Sequence, residues 1–266
     1  IHSHYSMATS KDLTPEMLVW WSKRKGIELL GTGDILHPLW LKELKNKLIS
    51  AENGFYKLKK EFQINDNIPK DYHEPQFILT GEISSIYKDM GKTRKIHQIF
   101  VLPDFDSARK FQINLEAKGV NIRSDGRPIC GLSAHDLLEL ALETDERIFC
   151  IPAHIWTPWF SLLGEKSGYD HPAECYKDLS DLITTLETGL SADVPMIRMV
   201  SDLDKYSLIS SSDAHSPSKL GRNATIINAD FHWDSVISAL KNGNTFTLDT
   251  NPKLGKYHYD GHRKCN

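Results

Sequence analysis

Short apolar, β-branched runs recur along the chain, separated by longer amphipathic stretches. Ile27–Gly31, Phe77–Ile83, Lys95–Leu102, Ile148–Ala153, Leu182–Glu187, Tyr206–Ser211, Ala224–Ile227 and Thr245–Leu248 read as strands. Between them, apolar positions fall at helical spacing over Glu16–Lys25, Pro38–Lys60, Ser107–Lys118, Ser133–Glu143, Pro172–Asp181 and Trp233–Lys241. Thr14 before Pro15 reads as an N-cap and first helical residue, and Gly26 and Gly119 as stops. Alternating strands and helices predict an α/β fold with a mainly parallel sheet or barrel. Residues 121–131 and 164–170 are turn-rich loops. The chain shows no internal repeat and no domain boundary inside 1–250.

Composition narrows the class. Of 266 residues, 40% are hydrophobic and 25% charged, which excludes general disorder. No apolar run approaches the ~20 residues of a membrane span, so no membrane partner is expected. A net charge of −3 gives no global attraction to nucleic acid but leaves room for a local basic groove. The four Cys are far apart, which predicts free thiols and a cytoplasmic setting. The chain opens at Ile1, without Met, in what reads as a strand end, and closes on a polar, His-rich stretch from Lys256 to Asn266. A longer parent protein is therefore expected.

The placing of histidines and acids points to chemistry. His2 sits at the end of the first apparent strand. Asp34 and His37 follow the second. Glu82 and His97 lie in the next two. His154 closes Ile148–Ala153, and Asp213 and His215 follow Tyr206–Ser211. In a parallel barrel such strand ends converge on one face, where active sites form. Imidazole and carboxylate suit Zn²⁺, Mn²⁺ or Fe²⁺. Paired ions about 3.5–4 Å apart activate water and stabilise attacking and leaving oxygens in phosphoester hydrolysis.

These residues resemble the PHP (polymerase and histidinol phosphatase) superfamily of metal-dependent phosphoesterases. Longer blocks are similar to its endonuclease Q branch: Ala8–Asp12, Gly31–Asp34 with His37–Trp40, Ser124–Pro128, Ile151–Leu162, Glu187–Ser191, Ser212–Arg222 and Lys256–Cys265. The resemblance implies a distorted (β/α)7 barrel over residues 1–255, with the metal site at the carboxyl ends of the strands. Residues 256–266 would then begin a truncated zinc-binding module whose first thiolate is Cys265. It also implies two to three divalent ions (Zn, Mn, Fe or Mg) held by His2, Asp34, His37, Glu82, His97, His154, Asp213 and His215. Asp213, Glu82 and His215 would be central to catalysis. The family's opening HxH pair fits with His2 as its second histidine, and His2 with His4 is the other register.

The implied activity is a DNA-repair endonuclease cutting 5′ of deaminated bases (hypoxanthine, uracil, xanthine) or abasic sites, with other repair factors as partners. The alternative is a PHP-type phosphatase acting on a small phosphate ester. Enzymes acting on one base commonly flip it from the stack. Trp156, Trp159 and Phe160, directly after His154, are candidates to stack on it, and Asp193 to line the pocket. Lys219 and Arg222 are candidates for phosphate contacts.

Overall fold

The computed structural model describes residues 1–249. Helix α1 (Pro15–Lys25) starts where the Thr14 side chain accepts from the Met17 N–H and ends at Gly26, whose φ of 68° only glycine adopts freely. Strand β1 (Leu29–Gly31) leads into α2 (Pro38–Lys47). The helix foreseen over Pro38–Lys60 stops there. Strands β2 (Leu48–Ser50) and β3 (Tyr56–Leu58) form a hairpin instead. The Asn53-Gly54 pair is the reason. Gly54, at φ +80°, turns the chain so tightly against Trp233 that an added Cβ would lie 2.9 Å from that residue's own Cβ.

The spine of the sheet is β4 (Gln76–Asp89) paired antiparallel with β5 (Lys92–Leu102), setting Glu82 opposite Ile99 and Ser84 opposite His97. The expectation of a mainly parallel sheet fails here. Only Met90 and Gly91, both at positive φ, separate the two strands, whereas a parallel crossover needs a dozen or more residues. Both strands also outrun their apolar cores, because buried Ser84, Ser85 and Arg94 interrupt the pattern.

Strand β6 (Ile129–Cys130) pairs parallel with β4, as does β1, and β7 (Phe149–Pro152) extends β5 antiparallel. Helices α3 (Phe105–Ala117) and α4 (Ala134–Thr144) are capped by Asp104 and Ser133 and bury Phe111, Leu115, Leu137 and Ala141.

The segment expected as a helix over Pro172–Asp181 is a short α5 (Pro172–Tyr176) followed by a 3-10 turn, broken at Lys177 with φ +50°. Strand β8 (Thr185–Glu187) pairs parallel with β9 (Ser207–Ile209), and the one-turn α6 (Val194–Ile197) lies between them. Strands β10 (Ala224–Ile227) and β11 (Thr245–Leu248) flank α7 (Trp233–Asn242) and pair antiparallel.

Among the described residues the ladders make three sheets, and no closed barrel forms. The fold is mixed α/β. Beyond β7 the chain turns at His154 (φ +30°), and Ile155 N–H bonds the Glu187 carbonyl at 3.0 Å without founding a ladder. Cys130, Cys150 and Cys175 are buried free thiols. No helix among the described residues is long and apolar enough to cross a membrane.

Candidate metal centre

Six of the eight sequence-predicted ligands form two groups of three. His2, Asp213 and His215 make one, and Glu82, His97 and His154 the other. The donor atoms of each group lie within 4.8 Å of one another. Glu82 belongs to the second group and also faces the first. Its Oε2 is 3.6 Å from His2 Nε2, and its Oε1 is 2.6 Å from His97 Nδ1 and 3.6 Å from His154 Nε2. His2 Nε2 is 3.4 Å from Asp213 Oδ1, and His97 Nδ1 is 3.0 Å from His154 Nε2.

Buried polar atoms without partners are costly. Here His2 Nε2 and Glu82 Oε1 are buried beside ion-pair partners yet make no well-aligned hydrogen bond. Buried imidazole and carboxylate donors held close without proper hydrogen bonds are what a borderline divalent cation fits.

The other two candidates stand apart from these groups. Asp34 Oδ1 lies 3.0 Å from His2 Nδ1, and its Oδ2 accepts from the Ser3 N–H (2.6 Å), Ser3 Oγ (2.7 Å) and Ser6 Oγ (2.8 Å). It therefore orients His2 and leaves Nε2 free. His37 Nε2 lies 3.2 Å from the Arg123 carbonyl, and its ring stacks on Tyr5 at 4.6 Å. Its Nδ1 is a third buried orphan.

The electrostatics favour a cation. Burial opposes a proton on His2, but its bonds to Asp213 and Asp34 outweigh burial and push its pKa up to about 9. Burial would raise Glu82, yet His97 and His154 hold it well below the usual carboxylate range, with Arg127 contributing. Asp213 is depressed too, as His2 overcomes its burial. Burial brings His97 down to about 4 despite Glu82. Glu187, at the end of β8, is instead pushed up by burial.

The backbone here is unusual. Asp34 (φ 48°), His154 (φ 30°) and Asp213 (φ 42°) all occupy the left-handed region. Asp and His are among the few non-glycine types that tolerate it. Such strain persists only where the surroundings enforce it. Gly189, at φ +76°, lies against His154 so closely that a Cβ would sit 2.6 Å from that residue's Cβ. The site is thus fixed by main chain as much as by side chains.

Two residues of the quoted blocks had been given no role. Glu187 Oε2 accepts the His154 N–H at 2.8 Å. Arg127 brings Nη1 to 3.7 Å from Glu82 Oε1. The signal for Glu187 was its place at a strand end, the rule that selected the others.

The DNA-reading candidates divide. Trp156 is 2% exposed and belongs to the main core, so its placing as a stacking residue is corrected. Trp159 is 44% exposed. Phe160 packs 4.9 Å from the His97 ring with Lys95 Nζ 5.1 Å from its own. Asp193 caps α6 through the Met196 N–H. Arg222 spends its guanidinium on the Ser212 and Asp213 carbonyls (2.6 and 2.9 Å), bracing the Asp213 loop. Lys219 is exposed. Cys265 lies outside the described residues.

Comparison with known proteins fits this geometry. A PHP-associated family profile matches residues 205–245. The lesion-specific endonuclease PfuEndoQ of Pyrococcus furiosus superposes with a TM-score of 0.77 at 33% identity, over 96% of this chain and 59% of that one. An endonuclease Q bound to a 27-mer duplex with an abasic lesion at its active site superposes with a TM-score of 0.78 at 34% identity, over 97% and 60%. The chain is similar to endonuclease Q structures of the PHP superfamily over nearly its whole length. The chain is also 30% identical to the uncharacterized protein YqxK of Bacillus subtilis, over 96% of the chain and 63% of YqxK. It spans about three fifths of the length of these relatives.

Proposed function

We propose that the chain carries the catalytic site of a metal-dependent DNA-repair endonuclease that cuts 5′ of deaminated bases or abasic sites. The observation that carries this reading is Glu82, one carboxylate whose two oxygens face two separate donor triads. The likeness to endonuclease Q structures, one of them on lesion DNA, supports it. Strands β1, β7, β8 and β9 each end at or shortly before a site residue, Asp34, His154, Glu187 and Asp213 respectively, which supports a PHP-type α/β arrangement without a closed barrel.

His2, Asp213, His215, Glu82, His97 and His154 would hold the ions, with Asp34 and His37 around them. Two to three bound divalent ions supply Lewis-acid chemistry: charge stabilisation at a phosphoryl group and a more acidic water. The protein's own residues do the positioning. Asp34 takes the Nδ1 side of His2 and directs Nε2 inward, as carboxylates behind metal-bound histidines do. Glu187 and Arg222 fix the His154 and Asp213 loops through backbone groups. Trp159, five residues after His154, offers a partly exposed ring, and stacking on a base contributes about 1–3 kcal/mol.

The test is a labelled duplex carrying one deoxyinosine or one abasic site, incubated with Mn²⁺ beside an undamaged duplex and a chelator control. Metal-dependent nicking immediately 5′ of the lesion is expected. Equal cutting of undamaged DNA, or turnover confined to a small phosphate ester, overturns the proposal.

A further inference from the structure

The loop 123–128 presents one arginine to the centre and holds it firmly. The Gly126 N–H bonds the Tyr5 carbonyl at 3.0 Å. Asp125 Oδ1 accepts from the Met7 N–H (3.3 Å) and the Arg127 N–H (3.0 Å). Gly126 lies so close to the site floor that a Cβ would meet Asp34 Oδ2 at 2.3 Å and Ser6 Oγ at 2.4 Å. On the far side of Arg127, the Pro128 carbonyl accepts the Ser84 N–H at 2.9 Å, and β6 then pairs with β4. Arg127 is therefore pinned on both sides, and its second anchor is two residues from Glu82.

Its side chain is not consumed by this scaffolding. Among the described residues the guanidinium makes no hydrogen bond, and its Nη1 stands 3.7 Å from Glu82 Oε1. The side chain keeps 31% exposure. That leaves a planar fork of donors partly open beside the Glu82 carboxylate, the geometry that reads phosphate oxygens in pairs. Lys219 and Arg222 had been the phosphate candidates, and Arg222 is spent on backbone carbonyls.

We propose that Arg127 grips the scissile phosphate of the substrate strand, a catalytic contact separate from the metal donors. This rests on the endonuclease reading above. The probe is an abasic-lesion duplex bound in Ca²⁺, compared with the same duplex carrying a neutral methylphosphonate at the linkage 5′ of the lesion. The wild-type protein should prefer the charged linkage by about 10- to 100-fold, the worth of a charge-assisted hydrogen-bonded contact.

Arg127→Ala should lose about 10-fold or more of that preference, any remainder being the share of the bound ions, and should bind the methylphosphonate duplex at the wild-type level, which also reports that it is folded. Arg127→Lys should recover part of the preference, since it keeps charge without the fork. If wild type shows the preference and Arg127→Ala retains it, or Arg127→Ala loses the methylphosphonate duplex as well, Arg127 does not grip that phosphate. If wild type binds lesion and undamaged duplexes alike, the endonuclease reading fails, and this assignment with it.

Discussion

Gly189 is the wall behind His154, and Gly189→Ala measures what that wall is worth. Two costs arise. Alanine at φ +76° carries the left-handed penalty, about 1–2 kcal/mol. Its Cβ would also sit 2.6 Å from His154 Cβ and 2.9 Å from its Cα, an overpacking that costs about 1–3 kcal/mol when neighbours yield. The sum is about 2–5 kcal/mol, or a fall in Tm of about 5–20 °C for a chain of this size. Relief requires His154 or the segment at Gly189 to shift, and a shift of His154 would disturb its place beside Glu82, so metal uptake should weaken as well. Gly119→Ala is the control: φ is +80° there, with nothing within 4 Å, so it carries the backbone cost alone. Thermal melts with and without Zn²⁺ or Mn²⁺, and calorimetric titration of each ion, would read both effects. Equal losses of Tm in the two variants, or full metal uptake by Gly189→Ala, would refute the claim that packing on Gly189 sets the imidazole.

Glu82→Gln removes the charge that faces both triads, so bound metal measured by atomic absorption should fall at both groups together; loss of a single ion would show that Glu82 serves only one. Trp156→Ala should destabilise by about 3–5 kcal/mol in denaturant unfolding, as a core aromatic does, while Trp159→Ala costs less stability and weakens lesion-DNA binding by about 1–3 kcal/mol. The Arg147 pairing holds Asp145, and with Ser107 also Asp104, below the ordinary carboxylate pKa of about 4. Depressed folded-state values stabilise above that pH and lose the contribution as pH falls through the lower folded values. Arg147→Ala should therefore flatten the acid limb of a Tm-against-pH curve below about pH 4 and leave its shape near neutrality alone.

Strand-end histidines and acids were legible because their rule is local: a polar, metal-binding type directly after an apolar run. That rule found His2, His154, Asp213 and His215 and, read alike, fits Glu187. Three features were not legible. Leu48 and Leu58 lie at spacings that also suit a helix, and only the Asn53-Gly54 turn separates the hairpin from it. The antiparallel β4–β5 ladder was hidden because buried serines and Arg94 end the apolar runs before the strands end. Trp156 and Trp159 look equivalent in sequence, three residues apart. Turns after His154 send one into the core and the other to the surface. Likewise Arg127 and Arg222 differ only in what surrounds their guanidinium groups.

The left-handed residues at the centre bear on how the site can vary. At Asp34 and Asp213 the position demands a main-chain conformation as well as a carboxylate. Alanine there changes both at once, and glutamate keeps the charge while fitting the conformation poorly. Asparagine tolerates the left-handed region as aspartate does. Drift at these positions is therefore narrow, with Asp–Asn exchange as its open route. A homologue carrying Asn at one of them would retain the shape of the pocket while lowering its negative charge, an inactive copy that still folds around the same architecture.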